Sequence, residues 1–286
     1  MSEQAVYSGS CTHFASASVG HAVLITDPPY SDHVHDATAS AIGSRPGTRK
    51  RDLGFSSLSA ELREYIARAA ASAARWSVIY TDIQGLHAWE TAVARHVRSL
   101  PVLPGDVEGP DGTTADGETV LGALPWVRWS SPQMSGDRPP SGCEMLCLAH
   151  AAKKGKMRWG GPGNLVALVH KSLRGADKHT TEKPLDQALD LVAWFSEPGE
   201  LVYDPTAGRG TIGVACALLG RDYLGCEVDG AESGKAEARI NAARSGVLSD
   251  RDIERWKRWL RSVDLEDSLL PEADAVAETF KKGKIV

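Results

Sequence analysis

The chain has 286 residues, enough to bury one substantial core and too few for two large domains. Its 32 Lys and Arg against 37 Asp and Glu leave a net charge of −5, so any polyanionic partner has to be held by local basic clusters rather than by the total. Five cysteines without a C-x-x-C pair exclude a disulfide framework or zinc site as the organising feature, and no apolar run reaches the ~18 residues of a membrane span. With no charged-then-apolar leader at the N-terminus, the expectation is a soluble, cytoplasmic protein without metal or membrane partner.

In chain order, the apolar run Ala22 to Thr26 stops at Asp27-Pro28-Pro29-Tyr30 and reads as a buried strand ended by two prolines. Ser31 to Phe55 is polar and irregular, the composition of a loop over a site. Ser59 is a candidate N-cap for a helix with Leu62, Tyr65, Ile66, Ala69 and Ala73 at helical spacing, and Trp76 to Tyr80 follows as a second strand. His87 to Val97 suggests another helix. Residues 104–120 are rich in Gly, Pro and Asp and read as an exposed insertion. Strands are expected at Leu124 to Trp129, Glu144 to Ala149 and Val166 to His170, with a basic segment at Lys153 to Arg158.

The last third is the most regular. Leu185 to Phe195 is helical, Leu201 to Tyr203 is a strand, Thr211 to Leu219 is a helix closed by Gly220, and Tyr223 to Val228 is a strand. This alternation describes parallel βαβ units. An amphipathic helix carrying Ile253, Trp256, Trp259 and Leu260 follows, then a charged tail over 266–286. Gly208, Gly210 and Gly213 satisfy G-x-G-x-x-G between a strand and a helix, with Glu227 near the end of the next strand. Ribose hydroxyls hydrogen-bonded to Glu227 are common to nicotinamide, flavin and S-adenosylmethionine cofactors, so a dehydrogenase and a methyltransferase both fit. A tight turn without any ligand is the bland alternative. Asp204 and Pro205 favour the methyltransferase, because a carboxylate at the strand end can receive an ammonium group that dinucleotides lack.

Asp27-Pro28-Pro29-Tyr30 taken alone is a rigid turn. Together with His179-Thr180-Thr181-Glu182-Lys183-Pro184 and the stretch Asp204 to Asp229, however, it resembles the amino-methylating DNA methyltransferases. Because the tetrapeptide precedes the glycine loop, the chain resembles their circularly permuted beta class, and Ser135 to Pro139 is similar to phage and prophage members. The resemblance spans most of residues 5–245. It implies a doubly wound, Rossmann-like α/β fold in a single domain over 1–265. Within it, 1–150 forms the catalytic half, 151–178 a short DNA-recognition insertion and 179–248 the cofactor half.

The resemblance further implies S-adenosylmethionine as cofactor, its methionine part cradled by Asp204, Pro205, Thr206, Ala207, Gly208, Gly210 and Thr211, its ribose held by Glu227, with His179, Thr180, Lys183 and Pro184 bordering the pocket. Asp27, Pro28, Pro29 and Tyr30 would act on the exocyclic amine of a base flipped out of DNA, adenine N6 before cytosine N4. Arg45, Arg49, Lys50 and Arg51, and Lys153, Lys154, Lys156 and Arg158, are the candidate phosphate contacts. A homodimer is compatible with the family. Two positions depart from its pattern: Thr206 replaces the usual Phe, and Gly9-Ser10 replaces a Gly-Asp pair, so one adenine-side cofactor contact loses its carboxylate. More distant alternatives are methylation of RNA or of a protein glutamine, and an inactive DNA-binding relative.

Overall fold

The computed structural model describes residues 4–13, 20–30, 57–83, 85–99, 119–128, 143–151, 160–161, 167–170 and 182–263. Short apolar runs bounded by proline, glycine or polar loops form the strands of one sheet. These are β1 (Gln4–Ser8), β2 (Val23–Thr26), β3 (Trp76–Thr81), β4 (Thr119–Arg128), β5 (Cys143–Ala151), β6 (Leu168–His170), β7 (Leu201–Asp204) and β8 (Asp222–Glu227). Their order across the sheet is β1-β8-β7-β2-β3-β5-β4-β6. The first five run parallel, while β5 is antiparallel to both β3 and β4. Every residue of β2 and β3 is buried, as expected of strands covered on both faces.

The covering helices are α1 (Ala60–Ser72), α2 (Leu86–Ser99), α3 (Leu185–Phe195), α4 (Thr211–Leu219), α5 (Gly230–Arg244) and α6 (Asp250–Ser262). On one face, Ile66 and Ala69 of α1 and Trp89 and Val93 of α2 pack with Leu24, Ile79 and Tyr203. On the other, Leu189 and Val192 of α3, Val214 and Leu218 of α4, and Trp256 of α6 pack with Val23, Ile25, Val78 and Val202. Leu24 thus faces away from Val23 and Ile25, the two-residue period of a strand separating two cores. The expected doubly wound α/β architecture is the observed one. Among the described residues no helix is long and apolar enough to cross a membrane, and no group of three or more His, Cys, Asp or Glu is arranged to hold a metal ion.

Several local expectations can be compared directly. Ser59 caps α1, its Oγ accepting from the Leu62 amide at 3.1 Å, and α3 and α4 span the residues expected of them. β4 begins at Thr119, so the last two residues of segment 104–120 lie in the sheet. β1 is an addition that the sequence reading lacked; its five residues pair along β8, from Gln4 opposite Tyr223 to Ser8 opposite Glu227.

α6 is tied to α3 by polar bonds over an aromatic core. Arg255 Nη1 donates to both carboxylate oxygens of Asp186, at 3.0 and 3.1 Å, and Trp259 Nε1 donates to Asp190 at 2.8 Å. Burial opposes a charge on His170, but its bonds with Asp186 and Asp190 outweigh that cost and push its pKa up to about 9. Trp256 is fully buried and stacks on Trp259 at 5.4 Å between ring centroids. Trp256→Ala is therefore expected to lower unfolding free energy by roughly 3–5 kcal/mol in urea titrations. A loss below about 1 kcal/mol would mean that α6 is not part of the folded core.

The order of the sheet also locates a crevice. From β2 the chain proceeds by α1 to β3 on one side; from β7 it proceeds by α4 to β8 on the other. The carboxyl ends of the neighbouring strands β2 and β7 are thus a topological switch point, the position at which open α/β sheets bind ligands.

Candidate active site

A cavity of about 380 Å³ opens at that point. It brings Asp27, Pro28, Pro29 and Tyr30 together with Asp204 to Arg209, Thr211 and Glu227, although the two motifs lie far apart in sequence. The link between them is a hydrogen bond. Thr26, the last residue of β2, donates its hydroxyl to Asp204 Oδ1 at 2.9 Å. With that hydrogen committed, the 2.7 Å contact between the Thr26 and Thr206 hydroxyls is one in which Thr206 donates. Thr206, where the resembled family usually has Phe, therefore makes a polar bond across the switch point.

Asp204 is fully buried. Desolvation pushes its pKa up to about 7, against the lowering effect of hydrogen bonds from Thr26 Oγ1, the Thr206 amide and the Tyr223 hydroxyl; the Asp27 charge adds to the rise. Such a carboxylate is costly to ionise unless a cation arrives beside it. Glu227 ends β8, its Oε2 accepting from the Gly208 amide at 2.8 Å and its Oε1 from the Asp229 amide at 2.9 Å. The glycine loop thereby closes onto the next strand end, and Ala207 N donates to the Cys226 carbonyl at 2.8 Å.

Two glycines of the loop have a packing reason. Gly210 caps α4 at φ +71°, and a Cβ there would lie 3.0 Å from Ile240 Cδ1 on α5. At Gly213 the same atom would be 2.3 Å away and Tyr223 Cε1 2.8 Å, so a side chain there would displace both Ile240 and Tyr223. Arg239 of α5 then fastens the loop, donating to the Arg209 carbonyl, the Thr211 hydroxyl and Glu182, with two bonds to Asp252 of α6. Glu182 also accepts from Arg251 at 2.8 Å, so the segment leading into α3 is anchored immediately beside the cavity.

Lys183 follows that anchor. Its ammonium lies 2.8 Å from Asp27 Oδ2, and Lys183 lines the cavity that the resemblance has it border. Pro184 is buried ahead of α3 and does not line the cavity, whereas Ser10 does, its hydroxyl 2.8 Å from that of Thr12. His179 and Thr180 lie outside the described residues, as do all eight basic candidates, Arg45, Arg49, Lys50, Arg51, Lys153, Lys154, Lys156 and Arg158. The Leu58 amide donates to the Tyr30 carbonyl at 3.0 Å.

Lining groups that the sequence did not assign to the site include Tyr80, Ser59 and Glu61. Tyr80 could have been found, since it ends an apolar run that pairs with the strand before the tetrapeptide. Ser59 was read only as a cap. Glu144, on β5, also escaped, yet its carboxylate lies 3.3 Å from Lys183 Nζ.

The chain has the fold of the S-adenosylmethionine-dependent DNA methyltransferases. It superposes on the M1.HpyAVI–SAM complex with a TM-score of 0.58 at 22% identity, covering 83% of this chain and 98% of that one. On PvuII DNA methyltransferase, which is cytosine-N4-specific, the TM-score is 0.52 at 13% identity, covering 93% and 94%. Residues 147–233 match the N6_N4_Mtase family, described as DNA methylase, a stretch that holds the glycine loop but not Asp27 to Tyr30. The type II methyltransferase M.HinfI of Haemophilus influenzae is 30% identical over 104 residues, 36% of this chain and 28% of that protein. The chain thus spans less than a third of that curated relative.

Proposed function

We propose that the protein transfers the methyl group of S-adenosylmethionine to the exocyclic amino nitrogen of a base in DNA, adenine N6 in the first instance. The observation that carries this reading is the Thr26–Asp204 hydrogen bond, which sets an amine-binding tetrapeptide and a cofactor-type glycine loop on one cavity. The order of the two motifs along the chain supports the circularly permuted, beta-class arrangement.

The residues present fit the cofactor. Asp204, buried and reluctant to ionise alone, suits an ammonium group; the amino end of α4, with Thr211 and Ile212 on the cavity wall, suits a carboxylate. Glu227 suits the ribose hydroxyls, and Ser10 with Thr12 gives hydroxyl groups near the adenine end. When bound, the cofactor supplies an electrophilic sulfonium methyl. The protein's part concerns the amine, whose lone pair is delocalised into the aromatic ring and is poorly nucleophilic. Hydrogen bonds from the amino hydrogens to the Asp27 carboxylate and to the Pro28 carbonyl localise that lone pair, and Pro28 and Pro29 hold both acceptors in fixed directions. Tyr30 offers its ring for stacking to a flipped base. The two basic segments, Arg45 to Arg51 and Lys153 to Arg158, are assigned phosphate contacts that carry affinity but little sequence information.

Asp27 as the opening residue favours adenine over cytosine. The test is to incubate the protein with labelled S-adenosylmethionine and unmethylated duplex DNA, digest to nucleosides and identify the labelled one by mass. N6-methyl-2′-deoxyadenosine is the expected product. N4-methyl-2′-deoxycytidine would move the assignment to the other amino base, and no transfer to DNA while the cofactor still binds would overturn the reading.

A further inference from the structure

The chemistry described above gives Lys183 no task. Lys183 Nζ lies 2.8 Å from Asp27 Oδ2 and 3.3 Å from Glu144 Oε2, within 3.5 Å of the Tyr30 hydroxyl, and over the rings of Tyr80 at 4.9 Å and Tyr30 at 5.6 Å. Its side chain is 9% exposed and that of Glu144 8%. A lysine withdrawn this far from water keeps its charge only where carboxylates and ring faces offset the lost hydration, and here both are present. Four separate elements meet on this ammonium: the turn after β2, the end of β3 through Tyr80, the start of β5, and the segment pinned through Glu182 ahead of α3.

The group most affected is Asp27. It shares the cavity with other acids, Asp204 from β7, Glu61 from α1, and Glu182 and Glu227, and with the phenols of Tyr30 and Tyr80, while Glu144 of β5 lies 3.3 Å from the same ammonium. Low dielectric and like charge would both drive Asp27 towards its neutral form. A neutral Asp27 would be a weaker acceptor for an amine. We propose that Lys183 is a positioning residue that keeps Asp27 ionised and fixes the rotation of its carboxylate, and that Glu144 shares the same ammonium with Asp27.

This inference rests on the methyl-transfer reading only for the reaction that Asp27 serves; the charge coupling itself is measurable without DNA or cofactor. The experiment labels the full-length protein with [γ-13C]aspartate and follows the Asp27 carboxyl resonance against pH, the signal being assigned by its loss in D27N. In K183M and in K183Q the Asp27 midpoint should rise by roughly 1–3 units, and K183R should hold it near the wild-type position. E144Q, which removes a negative neighbour and leaves the lysine, should move it the other way. A purely structural role for Lys183 would not produce shifts of opposite sign. An unmoved midpoint in both neutral variants overturns the proposal. If it is unmoved and S-adenosylmethionine binds about tenfold more weakly, Lys183 is a cofactor ligand instead. In methylation assays the acidic limb of the rate–pH profile should shift up with the NMR midpoint in K183M. Absence of activity in the wild type would count against the functional reading and leave the titration result intact.

Discussion

Asp27→Ala is expected to lower the methyl-transfer rate by roughly 10²–10³-fold or more, the range seen when one oriented polar group aimed at a developing charge is removed. The loss should fall on the chemical step. Asp27 lies after β2 rather than in it, its side chain is 25% exposed, and it contributes nothing to either apolar core. Lys183 keeps Glu144 as a partner in the variant, so no buried cation is left without a counter-charge. S-Adenosylmethionine affinity, measured by calorimetry, should therefore stay within about threefold of wild type, and the melting temperature should change little. A variant that retains more than about a tenth of the wild-type rate would remove Asp27 from the chemistry, whatever the tetrapeptide's likeness to other proteins.

The contrast between Asp27 and Lys183 shows what one-dimensional reasoning can and cannot reach. The strand ahead of Asp27 and the strand ahead of Asp204 were both legible, because each is a short apolar run stopped by a proline or glycine turn, and that chemistry is local. Helices α3 and α4 were legible for the same reason: Gly220 at φ +69° ends α4 where the sequence said it would. The buried face of α6 followed from the spacing of Trp256, Trp259 and Leu260.

What escaped depends on neighbours in space. β1, with the sequence QAVYS, has too few apolar residues to stand out; its place is set by backbone pairing along β8, which no side-chain pattern encodes. The reversed direction of β5 is equally silent, since both parallel and antiparallel buried strands read as apolar runs. That reversal brings the beginning of β5, with Glu144, to the carboxyl end of β3, where Thr81 pairs with Met145. Glu144 thus reaches the site through a strand running the opposite way, and shares the Lys183 ammonium with Asp27. The carboxylate missing at Gly9-Ser10 is a further case. The resemblance places this pair beside the cofactor, and its position on the cavity wall follows from the pairing of β1 with β8.

The second large effect is expected at Asp204, where stability and binding should change in opposite directions. Burial lifts its pKa to about 7 in the folded, ligand-free protein, from 3.8 for an ordinary aspartate. The folded state therefore holds its proton more tightly than the unfolded chain does. Ionising Asp204 opposes folding, so its contribution is most favourable below pH ~4, declines between pH ~4 and ~7, and carries its full cost above that window. Asp204→Asn abolishes the cost while keeping shape. The amide oxygen can still accept from Thr26 and from the Thr206 amide, and the amide nitrogen can donate to the Tyr223 hydroxyl. Calorimetry should find the ligand-free variant more stable than wild type at pH 8, with the difference vanishing towards pH 4. Binding should move against this, because the ammonium of S-adenosylmethionine would meet a neutral amide in a dry pocket; affinity should fall by about 10²-fold or more. In the wild type, affinity should weaken as pH drops through about 7, the midpoint of the free carboxylate, and the variant should lack that dependence. Wild-type affinity in the variant would take Asp204 out of the cofactor site, and equal stability at pH 8 would mean that its burial carries no such cost.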